Sequence, residues 1–344
     1  MLAIPRARGP AGRRPGGPVD KGGGLITIYA HQNGVTRPAE KVEREWLDPS
    51  SPVTLWMDLA APTDDEFRIL SDVFGFHPLA VDDARSSLQY PKVEPYPGYL
   101  YLVLHGIDVS KGKTQFATRD VDFFLGRNYL VTIHDGESRS IGRLRELCDQ
   151  HERILSEGPV ALLHRIVDAM VDNYRPALEA LENRLDKLEE VAFSGREHIV
   201  RQVIRLKREL GQLRRVIMPQ RDVMGRLARR EFPAISDEMA FRFRDVYDHM
   251  ARYADEAILF QDRVTGILEI NLATVSNRLN QVMKVLTVMS TIFLPLTVLT
   301  GMWGMNITIP HFPGGPDVQF WWLSAVMIAV IVAMLVVFRR LKWI

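Results

Sequence analysis

Cysteine is almost absent from this chain, Cys148 being the single one in 344 residues. One thiol excludes an intrachain disulfide and fits a reducing compartment for the bulk of the protein. An excess of either charge is missing too, with 43 Lys+Arg against 42 Asp+Glu. Without a basic surplus, or aromatics interleaved with basic residues, nucleic acid is not an expected partner. Residues 1–24 hold Gly, Pro and Arg but no apolar run, so they read as a disordered tail without a secretory signal. The GGGL string at 22–25 lacks the GK[ST] continuation of a phosphate loop. The pair His151-Glu152 lacks a second His four positions after the first, which excludes a zincin site. The remaining histidines are scattered and read as surface or core imidazoles. Neither a nucleophile–base–oxyanion constellation nor a phosphoryl-transfer motif is present, so neither an enzyme nor an ATP-driven pump is expected.

Long apolar runs, by contrast, dominate the C-terminal end. Residues 282–303 (VMKVLTVMSTIFLPLTVLTGMW) carry one formal charge, Lys284, and residues 320–338 (FWWLSAVMIAVIVAMLVVF) carry none. About 20 residues at 1.5 Å each cross the roughly 30 Å of bilayer hydrocarbon, so two spans joined by an intervening loop form a membrane hairpin. Trp321 and Trp322 open the second span as an interfacial belt, and Arg339, Arg340 and Lys342 close it. The positive-inside rule then places both termini in the cytosol of a cell-membrane protein and the loop 305–319 outside. The first span is different in kind, holding Thr287, Ser290, Thr291, Pro295, Thr297 and Thr300. Steps of four and three link Glu269, Ala273, Ser276, Asn280, Met283, Thr287, Ser290, Leu294, Thr297, Gly301 and Gly304 into one seam. A small and polar seam inside a membrane has two readings, a helix-packing face or the wall of a water-lined path.

Before the spans, short β-forming runs at 25–29, 54–59, 99–109, 120–125 and 129–134 predict strands. Thr63 through Glu66 has the form of a capping box opening a helix to about Phe74, and Pro78 opens another to about Ala84. Mixed strands and helices predict a cytosolic α/β domain over 25–158. From Pro159 the pattern is helical: 160–193, then 197–230 disturbed at Pro219, then a helix from Asp237 with no breaker but Gly266 before Pro295. That last helix is about 90 Å long by rise per residue and needs neighbours, most simply copies of itself. The expected divisions are a helical stalk at 159–281, spans at 282–304 and 320–338, and a basic tail at 339–344.

The strings FRDVYDH (243–249), VSNRLNQVMKVLT (275–287), IFLPLT (292–297), GMN (304–306) and, upstream, HPLAVDDARSSLQYPKV (77–93) together resemble the CorA family of divalent-cation transporters. The likeness runs from about Leu25 onward. It implies an α+β membrane protein: a cytosolic α/β domain, a long helical stalk and two C-terminal transmembrane helices in a funnel-shaped homo-oligomer of five copies. The implied activity is channel-like transport of Mg²⁺, with cobalt and nickel as further ions, into the cytosol down the membrane potential. The implied partners are the chain itself, the lipid bilayer and divalent cations, with Mg²⁺ both cargo and regulator and no organic cofactor.

By the resemblance, Asn280, Met283, Leu286, Leu294, Thr297 and Asn306 form rings around the path, with Gly304 and Met305 completing the GMN turn. The seam independently selects Asn280, Met283, Leu294, Thr297 and Gly304, with Thr287 in place of Leu286. Asp83, Glu269 and Asp245 fall where the family has regulatory cation ligands. Glu269 stands where an Asp is expected, one methylene longer. An acidic helix face, Glu179, Glu182, Asp186, Glu189 and Glu190, is either a solvated face paired locally with Arg184 and Lys187 or part of a cation-load sensor. The loop after GMN departs from the acidic family pattern, keeping only Asp317 within ITIPHFPGGPD. That Pro-Gly loop is reminiscent of the ZntB-like branch, so zinc transport with proton coupling is the alternative. A non-conducting membrane-anchored sensor is the alternative of another class.

Overall fold

The computed structural model describes residues 24–86, 89–108, 117–136, 138–150, 154–193, 199–305 and 315–343. The expected N-terminal tail, His151, Ser194-Gly195, Asn306 and most of the loop after it lie outside the described residues. Two units pack separately: residues up to Leu188 with those from 199 to Thr265, and residues 189–193 with those from Gly266 onward.

The first unit is built on a seven-stranded mixed sheet, β1 (Leu25–Gln32), β2 (Val35–Ala39), β3 (Thr54–Ala60), β4 (Lys92–Tyr96), β5 (Tyr99–Asp108), β6 (Ala117–Gly126) and β7 (Tyr129–His134). Its order is β2-β1-β3-β7-β6-β5-β4, with β3–β7 the one parallel pair. The five predicted strands are all present. The two that sequence patterning missed are the edges. Both are short and contain proline, Pro38 in β2 and Pro95 in β4, a residue that cannot donate to a ladder and so is confined to edge strands.

Alternation along β3 sends Leu55, Met57 and Leu59 to one face, where they meet Phe67 and Leu70 of α1 (Asp64–Asp72) and Ala80 and Val81 of α2 (Pro78–Arg85). The opposite face carries Trp56 and Asp58, fully buried as well, under α3 (Arg139–Gln150) and α4 (Pro159–Asp172). The Thr63 capping box forms as expected, Thr63 N donating to Glu66 Oε2 at 2.7 Å. The unpredicted α3 had a legible stripe in Ile141, Leu144 and Cys148, all buried, diluted by Gly142 and charged neighbours. The helix expected over 160–193 divides at Asn173 into α4 and α5 (Tyr174–Phe193), with Asn173 Nδ2 donating to the Ala169 carbonyl at 2.9 Å. α6 (Ile199–Ala228) runs through Pro219. α7 (Asp237–Trp303) is a single helix of 67 residues, about 100 Å by rise. α8 (Gly315–Arg340) begins earlier than the apolar run alone indicated.

Asp122 on β6 is 5% exposed, and burial pushes its carboxyl up to about 7. The Tyr101 hydroxyl donates to it at 2.5 Å, which works the other way. Because the folded protein holds this proton above the ordinary carboxylate range, the unfolded chain releases it first as pH rises from about 4 to 7, and stability falls over that window. Asp122→Asn keeps an acceptor for Tyr101 and removes the titration. Its stability is therefore expected to fall less than that of the wild type between pH 4.5 and 7.5, by on the order of a few kcal/mol, seen as a smaller drop in melting midpoint. Parallel pH profiles in thermal melts of the two proteins would contradict this.

Candidate ion pathway

In the second unit, α7 from Gly266 and α8 are the membrane-crossing candidates; both are long and apolar enough to span a bilayer. Within the α7 span the half-buried or buried residues are Lys284, Val288, Thr291, Ile292, Pro295, Leu296 and Leu299. These recur at helical spacing on one face. α8 answers with its own half-buried stripe of Leu323, Met327, Ile331, Met334 and Phe338. Lys284 Nζ donates to the Lys342 carbonyl at 3.1 Å and ties the two helices at one end.

The seam runs along another side of α7, with Ser290 and Leu294 also bordering a groove shared with Met334 of α8. Asn280, Met283, Thr287, Ser290, Leu294, Thr297, Gly301 and Gly304 are all exposed, on average more than a third of a turn away from the packed stripe at 100° per residue. Leu286 and Thr287 are also both exposed and flank the seam line from opposite sides, so neither displaces the other. At Gly301 an added Cβ would meet nothing within 4 Å of this chain.

Both seam threonines are engaged by their own helix. Thr287 Oγ1 donates to the Met283 carbonyl at 2.8 Å and Thr297 Oγ1 to the Phe293 carbonyl at 2.8 Å. Off the seam, Thr300 Oγ1 donates to Leu296 O at 3.0 Å. A hydroxyl whose proton is spent on an i−4 carbonyl keeps only acceptor lone pairs for whatever lies outside. Such oxygens receive hydrogen bonds from water and repel no cation. The helix ends with Gly304 N donating to the Thr300 carbonyl at 2.9 Å and Met305 N to Met302 O at 3.4 Å. Asn306, the third residue of the GMN string, lies outside the described residues.

The three carboxylates predicted as regulatory ligands have different surroundings. Asp83 on α2 is held by Lys92 Nζ at 2.5 Å and by Gln89 Nε2 at 3.4 Å. Glu269 is exposed on α7. Asp245, also exposed on α7, has His249 Nε2 at 4.0 Å. On α4, burial and then Asp172 raise the Asp168 carboxyl, with Asp245 adding to the same effect. These two α4 acids were not singled out by sequence. Among the described residues no group of three or more His, Cys, Asp or Glu side chains is close enough to hold a metal within one chain. On the acidic face of α5, Glu179 pairs with Arg175 at 2.9 Å and Asp186 with Arg263 at 2.6 Å, while Arg184, expected as a local partner, reaches Glu209 of α6 at 2.6 Å.

Comparison with known proteins places the sequence pattern in context. A family model described as "CorA-like Mg2+ transporter protein" matches residues 52–340. The YfjQ protein of Bacillus subtilis (strain 168) is 32% identical over 331 residues, covering 93% of this chain and 98% of that one. The cobalt/magnesium transport protein CorA of Thermotoga maritima is 34% identical over 303 residues, covering 86% and 84%. In fold, the complete CorA magnesium transporter from Methanocaldococcus jannaschii superposes with a TM-score of 0.79 at 24% identity, over 93% of this chain and 98% of that one. The ZntB cytoplasmic domain from Vibrio parahaemolyticus reaches 0.60 at 16% identity, over 74% and 99%, a likeness of fold alone.

The back-bonded threonine carries a direct expectation. Thr297→Val preserves shape and removes the outward oxygen, so divalent-ion uptake into liposomes is expected to fall about tenfold, while Thr297→Ser stays within about twofold of wild type. Unimpaired uptake by the Val variant would remove the hydroxyl from the pathway.

Proposed function

The chain belongs to the CorA-like Mg²⁺ transporter family, and from that premise we propose that it moves Mg²⁺ into the cytosol through a pore lined by the α7 seam of several copies. The observation that carries this is the exposed seam of mostly small, amide and hydroxyl residues along α7, with Met283 and Leu294 set among them. One two-span chain does not enclose a hole, so a ring is required, and five copies agree with the family resemblance.

The chemistry suits a reluctantly dehydrated ion. Mg²⁺ demands octahedral coordination and keeps its waters, so rings of neutral acceptor oxygens at Asn280 and Thr297 hold the hydrated ion without stripping it. Neutral rings also avoid binding so tight that the ion does not leave. Met283, Leu286 and Leu294 form apolar constrictions that gate by dewetting. The C-terminal end of α7, at Gly304 and Met305, presents carbonyls whose partial negative charge favours a cation, and Asn306 adds an amide oxygen to that mouth. Entry of a divalent cation down the membrane potential gains about 4.6 kcal/mol per 100 mV, twice the single-charge value, so transport needs no ATP. With Arg339, Arg340 and Lys342 following α8, both termini lie in the cytosol.

Asp83, Glu269 and Asp245 act as cytosolic cation ligands that close the path when Mg²⁺ is plentiful. The donor set fits the ion: Mg²⁺ is commonly held by one or two carboxylates plus water, and the lack of a single-chain cage among the described residues suits ligands contributed by two neighbouring copies.

Asn306→Ala tests the pore directly. Reconstituted variant protein is expected to assemble as the wild type does and to lose Mg²⁺ uptake by at least about tenfold. Wild-type uptake would remove Asn306 from the mechanism. Zn²⁺ entry in preference to Mg²⁺ under a pH gradient would favour the ZntB-like alternative.

A further inference from the structure

Asp83 does not present a bare carboxylate to a cation. Both of its oxygens already have donors: Lys92 Nζ lies 2.5 Å from Oδ2, and Gln89 Nε2 lies 3.4 Å from Oδ1. Lys92 is fixed rather than wandering. It opens β4, and the two-residue strand period puts it on the same face as Glu94, whose Oε1 it reaches at 3.1 Å. Its ammonium also sits over the Tyr101 ring, 5.3 Å from the centroid. The Lys92 and Asp83 side chains are 25% and 34% exposed, so the pair is sheltered from full solvent screening. As an ordinary lysine ammonium, Lys92 is charged throughout the physiological range.

We propose that Lys92 is a built-in competitor at the regulatory site, an internal cation that occupies Asp83 and sets how much cytosolic Mg²⁺ is needed to close the transporter. The inference rests on the reading of Asp83 as a regulatory ligand. An ammonium and a divalent ion cannot share one carboxylate without repelling each other, so binding of Mg²⁺ at Asp83 requires the Lys92 contact to loosen. The competition weakens the site, and a weak site releases its ion when cytosolic Mg²⁺ falls. Without Lys92, Asp83 and Glu94 would face the site as two uncompensated carboxylates. The affinity for Mg²⁺ would then rise while the cation-free protein lost a stabilising pair.

These opposite effects separate a competitor from a merely structural lysine. In the full-length protein in detergent, the melting midpoint is followed against MgCl₂, starting from a chelated sample. Lys92→Met is expected to lower the midpoint in chelator and to reduce the MgCl₂ concentration giving half of the rise by about fivefold, equivalent to about 1 kcal/mol. Lys92→Gln should repeat this if the Met variant folds poorly, and Lys92→Arg should stay near wild type. In an Asp83→Asn background, the Lys92→Met change should no longer move the half-effect concentration. An unchanged or higher half-effect concentration in both uncharged variants, with Asp83→Asn still shifting it, would overturn the competitor role and leave the regulatory site standing. If Asp83→Asn itself leaves the Mg²⁺ response unchanged, the regulatory reading of Asp83 falls, and this inference falls with it.

Discussion

Hydrocarbon offers no partner to a hydroxyl or an amide, and that constraint orders the membrane half of this protein. Each polar side chain in the α7 span needs either an internal acceptor or a wet neighbour. The threonines take the first route for their protons, with Thr287 and Thr297 donating to carbonyls one turn back. They are left needing the second for their lone pairs. Asn280 has no such economy, since an amide carries two donors and an acceptor. α8 covers the mostly apolar stripe of α7 that runs from Lys284 to Leu299. On the proposed reading one helix insulates and the other lines.

The sheet-containing unit shows the same principle in reverse. Its sheet buries charge only where a partner is fixed in advance. Asp58, fully buried, accepts from Thr132 Oγ1 at 2.6 Å and has His134 Nε2 at 3.2 Å. Gln220 of α6, also fully buried, accepts from His105 N at 2.8 Å and donates to its carbonyl at 3.2 Å, pinning α6 to β5 one residue after Pro219. Where a charge lies nearer the surface its pairing is adjustable, and Asp83 with Lys92 is such a pair. There a half-exposed carboxylate is neutralised by an ammonium that is itself only part-buried.

Much of the architecture was legible because it is local. The seam, the spans, the capping box at Thr63 and the long α7 each follow from spacing within one helix or strand. The edge strands β2 and β4 were not legible, since Pro38 and Pro95 speak against a strand unless one knows that the sheet ends there. Asn173 was read as helix interior because its break depends on Ser140, which accepts its amide from α3 at 3.1 Å. At the site, the residue types and their face were readable, as was the GMN string. The Lys92–Asp83 contact was not: nine residues apart in sequence, it exists only once β4 has paired with β5. The acids Asp168 and Asp172 near Asp245 escaped for the same reason, being brought there by packing of α4 on α7.

The central claim, that the exposed face of α7 borders water while its opposite face is sealed against α8, is measured by thiol accessibility. Single cysteines at Asn280, Met283 and Thr297 are compared with cysteines at Val288, Ile292 and Leu299 in the reconstituted protein. The native Cys148 stays silent, buried and with its thiol pushed up to about 12. A small water-soluble thiol reagent should modify the first set at least about tenfold faster than the second, because only a hydrated, ionised thiol reacts. Equal rates on the two faces, or faster reaction at Val288, Ile292 and Leu299, would contradict the account.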